Sequence, residues 1–161
     1  MKILFLDIDG VLNSDASEKY FQDLGIPAPK TFEELKKVSY TRFCPVALNN
    51  LRSIFKAVPE TRVVFHSTWR RYFDLSELKE MFAYHGFKKS LFKDCTLIKL
   101  SGGDKVHSIN SYLSDNKKIV KYAVVDDEDL NYGKVEGHFV KTNSAVGLTE
   151  ANAQSIIDLL K

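Results

Sequence analysis

Apolar and polar positions follow two rhythms along this chain. Short, nearly continuous apolar runs at Lys2 to Leu6, Arg62 to Phe65, Tyr122 to Val125 and His138 to Lys141 predict strands covered on both faces, with a weaker strand around Thr96 to Leu100. Between them, amphipathic segments predict helices from Val46 to Lys56, Leu75 to Tyr84, Lys105 to Leu113 and Glu150 to Leu160. Asp74-Leu-Ser-Glu77 has the form of a capping box, and Gly86 follows as a stop. Thr149 is the expected N-cap of the last helix, whose Ala153, Ile156, Ile157 and Leu160 share one face. Strands alternating with helices imply an α/β fold around a mainly parallel sheet. The polar stretch from Ser14 to Phe43 breaks the rhythm: it contains GIPAPK and one short helix candidate from Thr31. It follows a chemistry-bearing turn, where an insertion would lie over a pocket as a flap or lid.

Composition adds bounds. A chain of 161 residues is expected to be one domain that buries roughly two-thirds of its unfolded surface. Apolar content of 44% and charged content of 27% are those of a globular protein, and a net charge of +2 makes no strong case for nucleic acid or an anionic membrane. The distribution is less even: Lys88, Lys89, Lys93, Lys99, Lys105, Lys117, Lys118 and Lys121 face only Asp94, Asp104 and Asp115, whereas Asp126 to Asp129 is nearly all acid. Such a basic face near an acidic pocket suits an anionic substrate held by a divalent cation, and equally suits a plain solvated face. Cys44 and Cys95 form no metal-ligand cluster and read as buried or half-buried thiols in a reducing compartment. The first apolar run is too short for a signal peptide, and no stretch approaches a membrane span, so a cytoplasmic location without membrane contact is expected.

Four segments carry candidate chemistry. In Lys2 to Asn13, KILFLDIDGVLN, an apolar run delivers Asp7 and Asp9 at its carboxyl end, two side chains that an extended backbone would point to one face. Gly10 allows a tight turn that brings backbone N–H groups beside those carboxylates. In Val63-Val-Phe-His-Ser-Thr-Trp-Arg70 a buried strand ends in the hydroxyls of Ser67 and Thr68 at the sheet edge where parallel sheets bind ligands. Lys105 stands at a helix start, unfavourable for the helix dipole unless an anion is near. Val124-Val-Asp-Asp-Glu-Asp129 again ends a strand in acids, which repel unless a cation sits between them. Oxygen ligands without His or Cys favour Mg²⁺ over zinc.

In this order the segments resemble the four motifs of a haloacid dehalogenase (HAD) superfamily phosphohydrolase. LDIDGVLNS, FHSTWRR, KVHSINSYL, VVDDEDL and VKTNSAVGLT together are similar to the HAD domain of Swiss Army Knife RNA repair proteins. His66 stands where that family often has a small hydroxyl, and Asn143 stands where an acid is expected. The resemblance implies a Rossmann-like three-layer sandwich with little or no cap. It implies Asp7 as nucleophile, Asp9 as general acid and then base, and Ser67 or Thr68, Lys105 and the amides around Ile8 and Gly10 as the phosphate grip. Mg²⁺ would be held by Asp7, the backbone carbonyl of Asp9, and Asp126 or Asp127, with Asp127 favoured as the direct ligand.

The resemblance also implies a phosphorylated substrate, with RNA or DNA ends favoured and 3′ ends first. Arg70 and Arg71 would contact flanking phosphates and Trp69 would stack on a base. Against this, a Trp after a buried strand suits a core or lid position, and the arginines suit a brace on the active-site loop through Asp126. Phosphatase action on nucleotides or sugar phosphates, and a non-catalytic phosphate-binding module, use the same residues. A protein phosphatase is disfavoured because DIDGV lacks the DxDxT pattern.

Overall fold

The computed structural model describes residues 1–38, 42–96 and 105–161. Five strands, β1 (Lys2–Leu6), β2 (Thr61–Phe65), β3 (Phe92–Cys95), β4 (Lys121–Asp126) and β5 (Phe139–Lys141), form one sheet in the order β3-β2-β1-β4-β5. All four pairings are parallel. The order reverses on either side of β1, so ligands are expected outside the carboxyl end of that central strand.

The pleat of β1 decides the layers. Leu4 and Leu6 face one apolar cluster, with Val63, Phe65, Ala123 and Val125, and Ile3 and Phe5 face the other, with Val64 and Val124. The first face is covered by helices α3 (Pro45–Ala57), α4 (Leu75–Tyr84) and α6 (Glu150–Leu160), through Leu51, Ile54, Leu78, Phe82 and Ile156. The second is covered by α5 (Lys105–Asp115), through Val106, Ile109 and Tyr112. Fully buried side chains of this size each stabilise the fold by about 1.5–3 kcal/mol. Cutting back Leu51 to Ala at the centre of the first layer is expected to cost about 2–5 kcal/mol.

The helix ends follow the capping chemistry. Asp74 accepts from the Glu77 amide at 2.8 Å while Glu77 accepts from the Asp74 amide at 2.9 Å, and Thr149 forms the corresponding box with Asn152. Two departures from expectation stand out. The expected strand around 96–100 lies outside the described residues except Thr96, and the edge strand found is Phe92–Cys95. Phe92 is its one fully buried side chain, stacked 5.5 Å from Phe65, while the polar Lys93 and Asp94 conceal it in the sequence. Among the described residues between Ser14 and Phe43 there are two helices, α1 (Asp15–Asp23) and α2 (Phe32–Val38), where only the second was expected. A mostly polar α1 hides its start in a capping box of Ser14 and Ser17 and buries just Ser17 and Phe21. Both cysteines are free and half-buried.

Candidate active site

The carboxyl end of β1 leads directly into the site. The Asp7 amide donates to the Val125 carbonyl at 3.2 Å, continuing the ladder to β4. The chain then turns, and the Ile8 carbonyl accepts from the amides of Val11, Leu12 and Asn13 at 2.7–3.2 Å. Because β1 ends at Leu6, the two aspartates are not displayed on one face of a strand: Asp7 is buried and Asp9 is exposed. Gly10 takes φ +70°, and a Cβ there would lie 2.3 Å from Asp127 Cγ. That position therefore requires glycine twice, for its backbone angle and for the close approach of the acidic loop.

Asp7 is held from both sides. Its Oδ1 accepts from the Ile8 amide at 2.8 Å and its Oδ2 from Lys105 Nζ at 2.9 Å. The same ammonium reaches Asp126 Oδ2 at 2.8 Å and Glu128 Oε1 at 2.9 Å. The anions that justify a lysine at the start of α5 are thus the protein's own carboxylates. Burial alone would lower the Lys105 pKa, but Asp7 and Asp126 outweigh it and raise it.

Asp126, fully buried at the end of β4, uses both oxygens. Its Oδ2 accepts from His66 Nε2 at 2.7 Å as well as from Lys105, and its Oδ1 accepts from the Glu128 amide at 2.9 Å. Burial pushes this carboxyl up, yet the His66 and Lys105 contacts together hold it well below the usual carboxylate range. Asp127 behaves oppositely: burial first, then the charges of Asp126 and Asp7, raise its pKa. The two neighbours expected to repel as equals are therefore separated by their partners. His66 was noted in the sequence only as a departure from the family. A polar ring at the end of an apolar strand must find a partner when buried, and that was the available signal.

The segment after β2 has a similarly divided character. Ser67 is buried and its Oγ accepts from the Trp69 amide at 3.3 Å, capping a 3-10 turn at Thr68–Arg71, whereas Thr68 is exposed. Arg70 braces this loop: its Nε donates to the Thr96 carbonyl at 3.1 Å and its Nη1 to the carbonyls of His66 and Ser67. Trp69 is buried between Phe43 and Phe73, so its ring faces are covered by protein. Its indole Nε1 donates to Asp9 Oδ2 at 2.8 Å, a link the sequence did not disclose. The Asp9 pKa is raised, chiefly by desolvation, with the Trp69 and Asn13 hydrogen bonds opposing and Asp7 assisting.

The carboxyl-terminal loop closes over the turn. Thr142 Oγ1 donates to the Gly10 carbonyl at 2.8 Å, and the Leu148 amide donates to the Val11 carbonyl at 2.8 Å. Asn143 accepts from the Ala145 amide at 2.9 Å through its side chain, an Asx turn that a family acid would also form. On the far side of Asp9 lies a cavity of about 260 Å³, lined by Asp9, Asn13 and Trp69 and, from the Ser14–Phe43 stretch, by Glu18, Leu35 and Arg42.

Asp7, Asp126 and Asp127 each offer a carboxylate oxygen within 4.8 Å of the others. An all-oxygen donor set with two buried members fits a hard divalent cation. The raised Asp127, which has no ion pair among the described residues, is the carboxylate most in need of one.

The family described as the HAD domain in Swiss Army Knife RNA repair proteins matches residues 3–153. The chain belongs to this family. Among solved structures, the HAD domain of effector protein Lem4 from Legionella pneumophila is similar at 14% identity and a TM-score of 0.57, covering 99% of this chain and 95% of that one. A haloacid dehalogenase-like hydrolase from Streptococcus pneumoniae is similar at 12% identity and a TM-score of 0.50, covering 96% and 90%. No curated protein matches the sequence. These likenesses carry the HAD fold: a parallel five-stranded sheet with helices on both faces. Among the described residues, no helix of this HAD domain is long and apolar enough to cross a membrane.

Proposed function

We propose that this HAD domain is a Mg²⁺-dependent phosphatase working through an aspartyl-phosphate on Asp7, acting on a terminal phosphate of RNA or DNA, with 3′ ends favoured. The observation that carries the reading is a buried Asp7 oriented by the Ile8 amide and Lys105, on one turn with Asp9 and with Asp126 and Asp127 close enough to share a cation with it. An Asp7 oxygen attacks phosphorus as the bond to the leaving oxygen breaks, and Asp9 gives its proton to that oxygen. Asp9, now a carboxylate, takes a proton from water; the water oxygen attacks the aspartyl-phosphate, releasing phosphate and restoring Asp7. Lys105 and Ser67, with the turn amides around Ile8 and Gly10, stabilise the charge on the transferred oxygens. Asp7, the Asp9 carbonyl and Asp127 would hold Mg²⁺, which when bound would supply further charge neutralisation. Asp126 supports from behind, since both its oxygens already accept hydrogen bonds.

The Ser14–Phe43 stretch acts as a flap in this reading, because its residues share a cavity with Asp9. The same cavity favours a second reading, a phosphatase for nucleotides or sugar phosphates. Phosphate release from matched 3′- and 5′-phosphorylated oligonucleotides and an aryl phosphate, with Mg²⁺, separates them. Turnover concentrated on one oligonucleotide end supports end processing, and turnover on the aryl phosphate alone moves the substrate to small molecules. Binding of beryllium fluoride and Mg²⁺ without any turnover would make the domain a phosphate-binding module.

A further inference from the structure

A second cavity, of about 460 Å³, lies at the amino edge of the sheet, opposite the edge that carries Asp7. Its walls hold Arg52, Lys56, Arg62 and Lys88, and Phe55 and Leu91 also line it. Lys56 comes from the last turn of α3, Arg62 from the start of β2 and Lys88 from the turn that leads to β3, so the parallel topology gathers them. No carboxylate lines this cavity. Among the described residues none of its four cations is ion-paired. Two acids close to it in sequence are engaged elsewhere: Glu60 pairs with Lys2 at 2.7 Å, and Glu80 pairs with Lys89.

Two of the charges are fixed in place. The Arg52 guanidinium carbon lies 4.8 Å from the Phe87 ring centroid, and its Nη2 donates to the His85 carbonyl at 2.6 Å. Arg62 Nη1 donates to the carbonyls of Pro59 and Thr61 at 3.2 and 2.8 Å. Carbonyls orient a guanidinium without neutralising it, so four like charges stay together with no anion of the protein to offset them. The whole chain carries only +2, so the rest of the molecule is acidic on balance and this cavity is a local focus for anions.

The form of the cavity narrows the ligand. Arg52, Lys56 and Lys88 are exposed and Arg62 is half-buried. Recognition of one small molecule calls for enclosed, convergent polar groups, whereas exposed cations around an open wall suit the repeated phosphates of a strand. Half-buried Phe55 adds apolar surface for a sugar or base. Because β2 spans five residues, the two edges of the sheet lie roughly 15 Å apart, so only a polymer engages both.

Resting on the nucleic-acid reading above, we infer that this cavity anchors the phosphodiester backbone of the substrate strand, several nucleotides away from the end held at Asp7. Arg52 and Arg62 supply preset charges, and Lys56 and Lys88 close on the backbone as mobile ones.

The test measures binding of a fluorescent dinucleotide and of a single strand long enough to reach both edges, by anisotropy over a salt series. Alongside it, kcat/KM is measured for the 3′-phosphorylated forms of both and for an aryl phosphate. Wild type is compared with the double variant Lys56→Gln, Lys88→Gln. Both lysines are exposed and lie outside the catalytic set, so the melting temperature and aryl-phosphate turnover should not change. The variant is expected to bind the long strand about tenfold more weakly, with the slope of log K against log salt reduced by about 1.4, the value for two lost single-strand phosphate contacts. Its kcat/KM on the long strand should fall by the same factor through KM, and on the dinucleotide by less than about twofold. If the double variant melts lower, the single variants decide, each reducing the slope by about 0.7. Unchanged long-strand binding, equal losses on both lengths, or binding of polyglutamate in place of the strand would overturn the anchor, and aryl-phosphate turnover in those cases leaves the phosphatase reading standing. Lysine-dependent binding of the long strand with no wild-type turnover on any substrate keeps the strand contact and overturns the phosphatase reading instead.

Discussion

The two sides of the Asp7–Asp9 turn are built on opposite terms. On the Asp7 side the buried carboxylates are tied to the fold: Lys105 bridges Asp7 and Asp126, His66 holds Asp126 from behind, and the Ile8 and Glu128 amides fix the two remaining oxygens of that pair. On the Asp9 side the carboxylate is exposed, held by the Trp69 indole and Asn13, and borders an open cavity. The first arrangement is preorganised for one reaction whatever the substrate carries. The second leaves room beside Asp9. A single turn separates the two, with Asp9 and Trp69 at the boundary.

The strongest way to break this comparison is Asp7→Asn. It keeps the shape and the Ile8 contact and is expected to reduce phosphate release by about a thousandfold or more. Retention of more than a few percent of activity would remove Asp7 as nucleophile. Next is Lys105→Met, which leaves two buried carboxylates facing each other. A loss of about 3–5 kcal/mol in denaturant unfolding is expected, partly recovered by added Mg²⁺. Unchanged stability would show that the Asp7 side does not depend on that bridge.

Acid sharpens the same contrast. Asp126 titrates lower in the folded protein than its ordinary value of 3.8, so its stabilising contribution is present above that value and is lost as pH falls through the folded one. Between about pH 5 and pH 2 the melting temperature of wild type should fall more steeply than that of Asp126→Asn. Parallel curves would mean that the His66 and Lys105 contacts do not favour the carboxylate.

The smallest expected effect lies at the boundary. Trp69→Phe retains the ring between Phe43 and Phe73 but removes the N–H that favours ionised Asp9. About a tenfold fall in kcat is expected, with the alkaline limb of the pH profile moving upward because Asp9 keeps its proton to higher pH. A limb that stays in place would separate Trp69 from Asp9 in function.

Legibility differed between these regions for a physical reason. Strands β1, β2, β4 and β5 and helices α3 to α6 were readable because buried strands need continuous apolar runs and packed helices need an apolar stripe. Edge strand β3 was missed because a strand with a single fully buried side chain leaves almost no pattern, and α1 because it buries so little. Local sequence also marked Asp7, Asp9, Ser67, Lys105, Asp126 and Asp127 as chemistry, since acids, hydroxyls and a lysine at strand and helix ends have few structural uses.

What the sequence by itself determined is therefore the layered α/β fold and the set of acids, hydroxyls and a lysine delivered to one edge of its sheet. Only the tertiary structure decided their partners. Asp126 became the low, saturated carboxylate and Asp127 the raised one because His66 crosses from β2 and Lys105 from α5. Gly10 became indispensable through contact with a residue more than a hundred positions away. Trp69 turned from a candidate base-stacking ring into a buried donor to Asp9, and Arg42, unremarked in the sequence, became a shielded guanidinium beside the reacting centre. Residue type and spacing limit which groups can reach a sheet edge; desolvation, charge and hydrogen bonding act only between groups that folding has brought together.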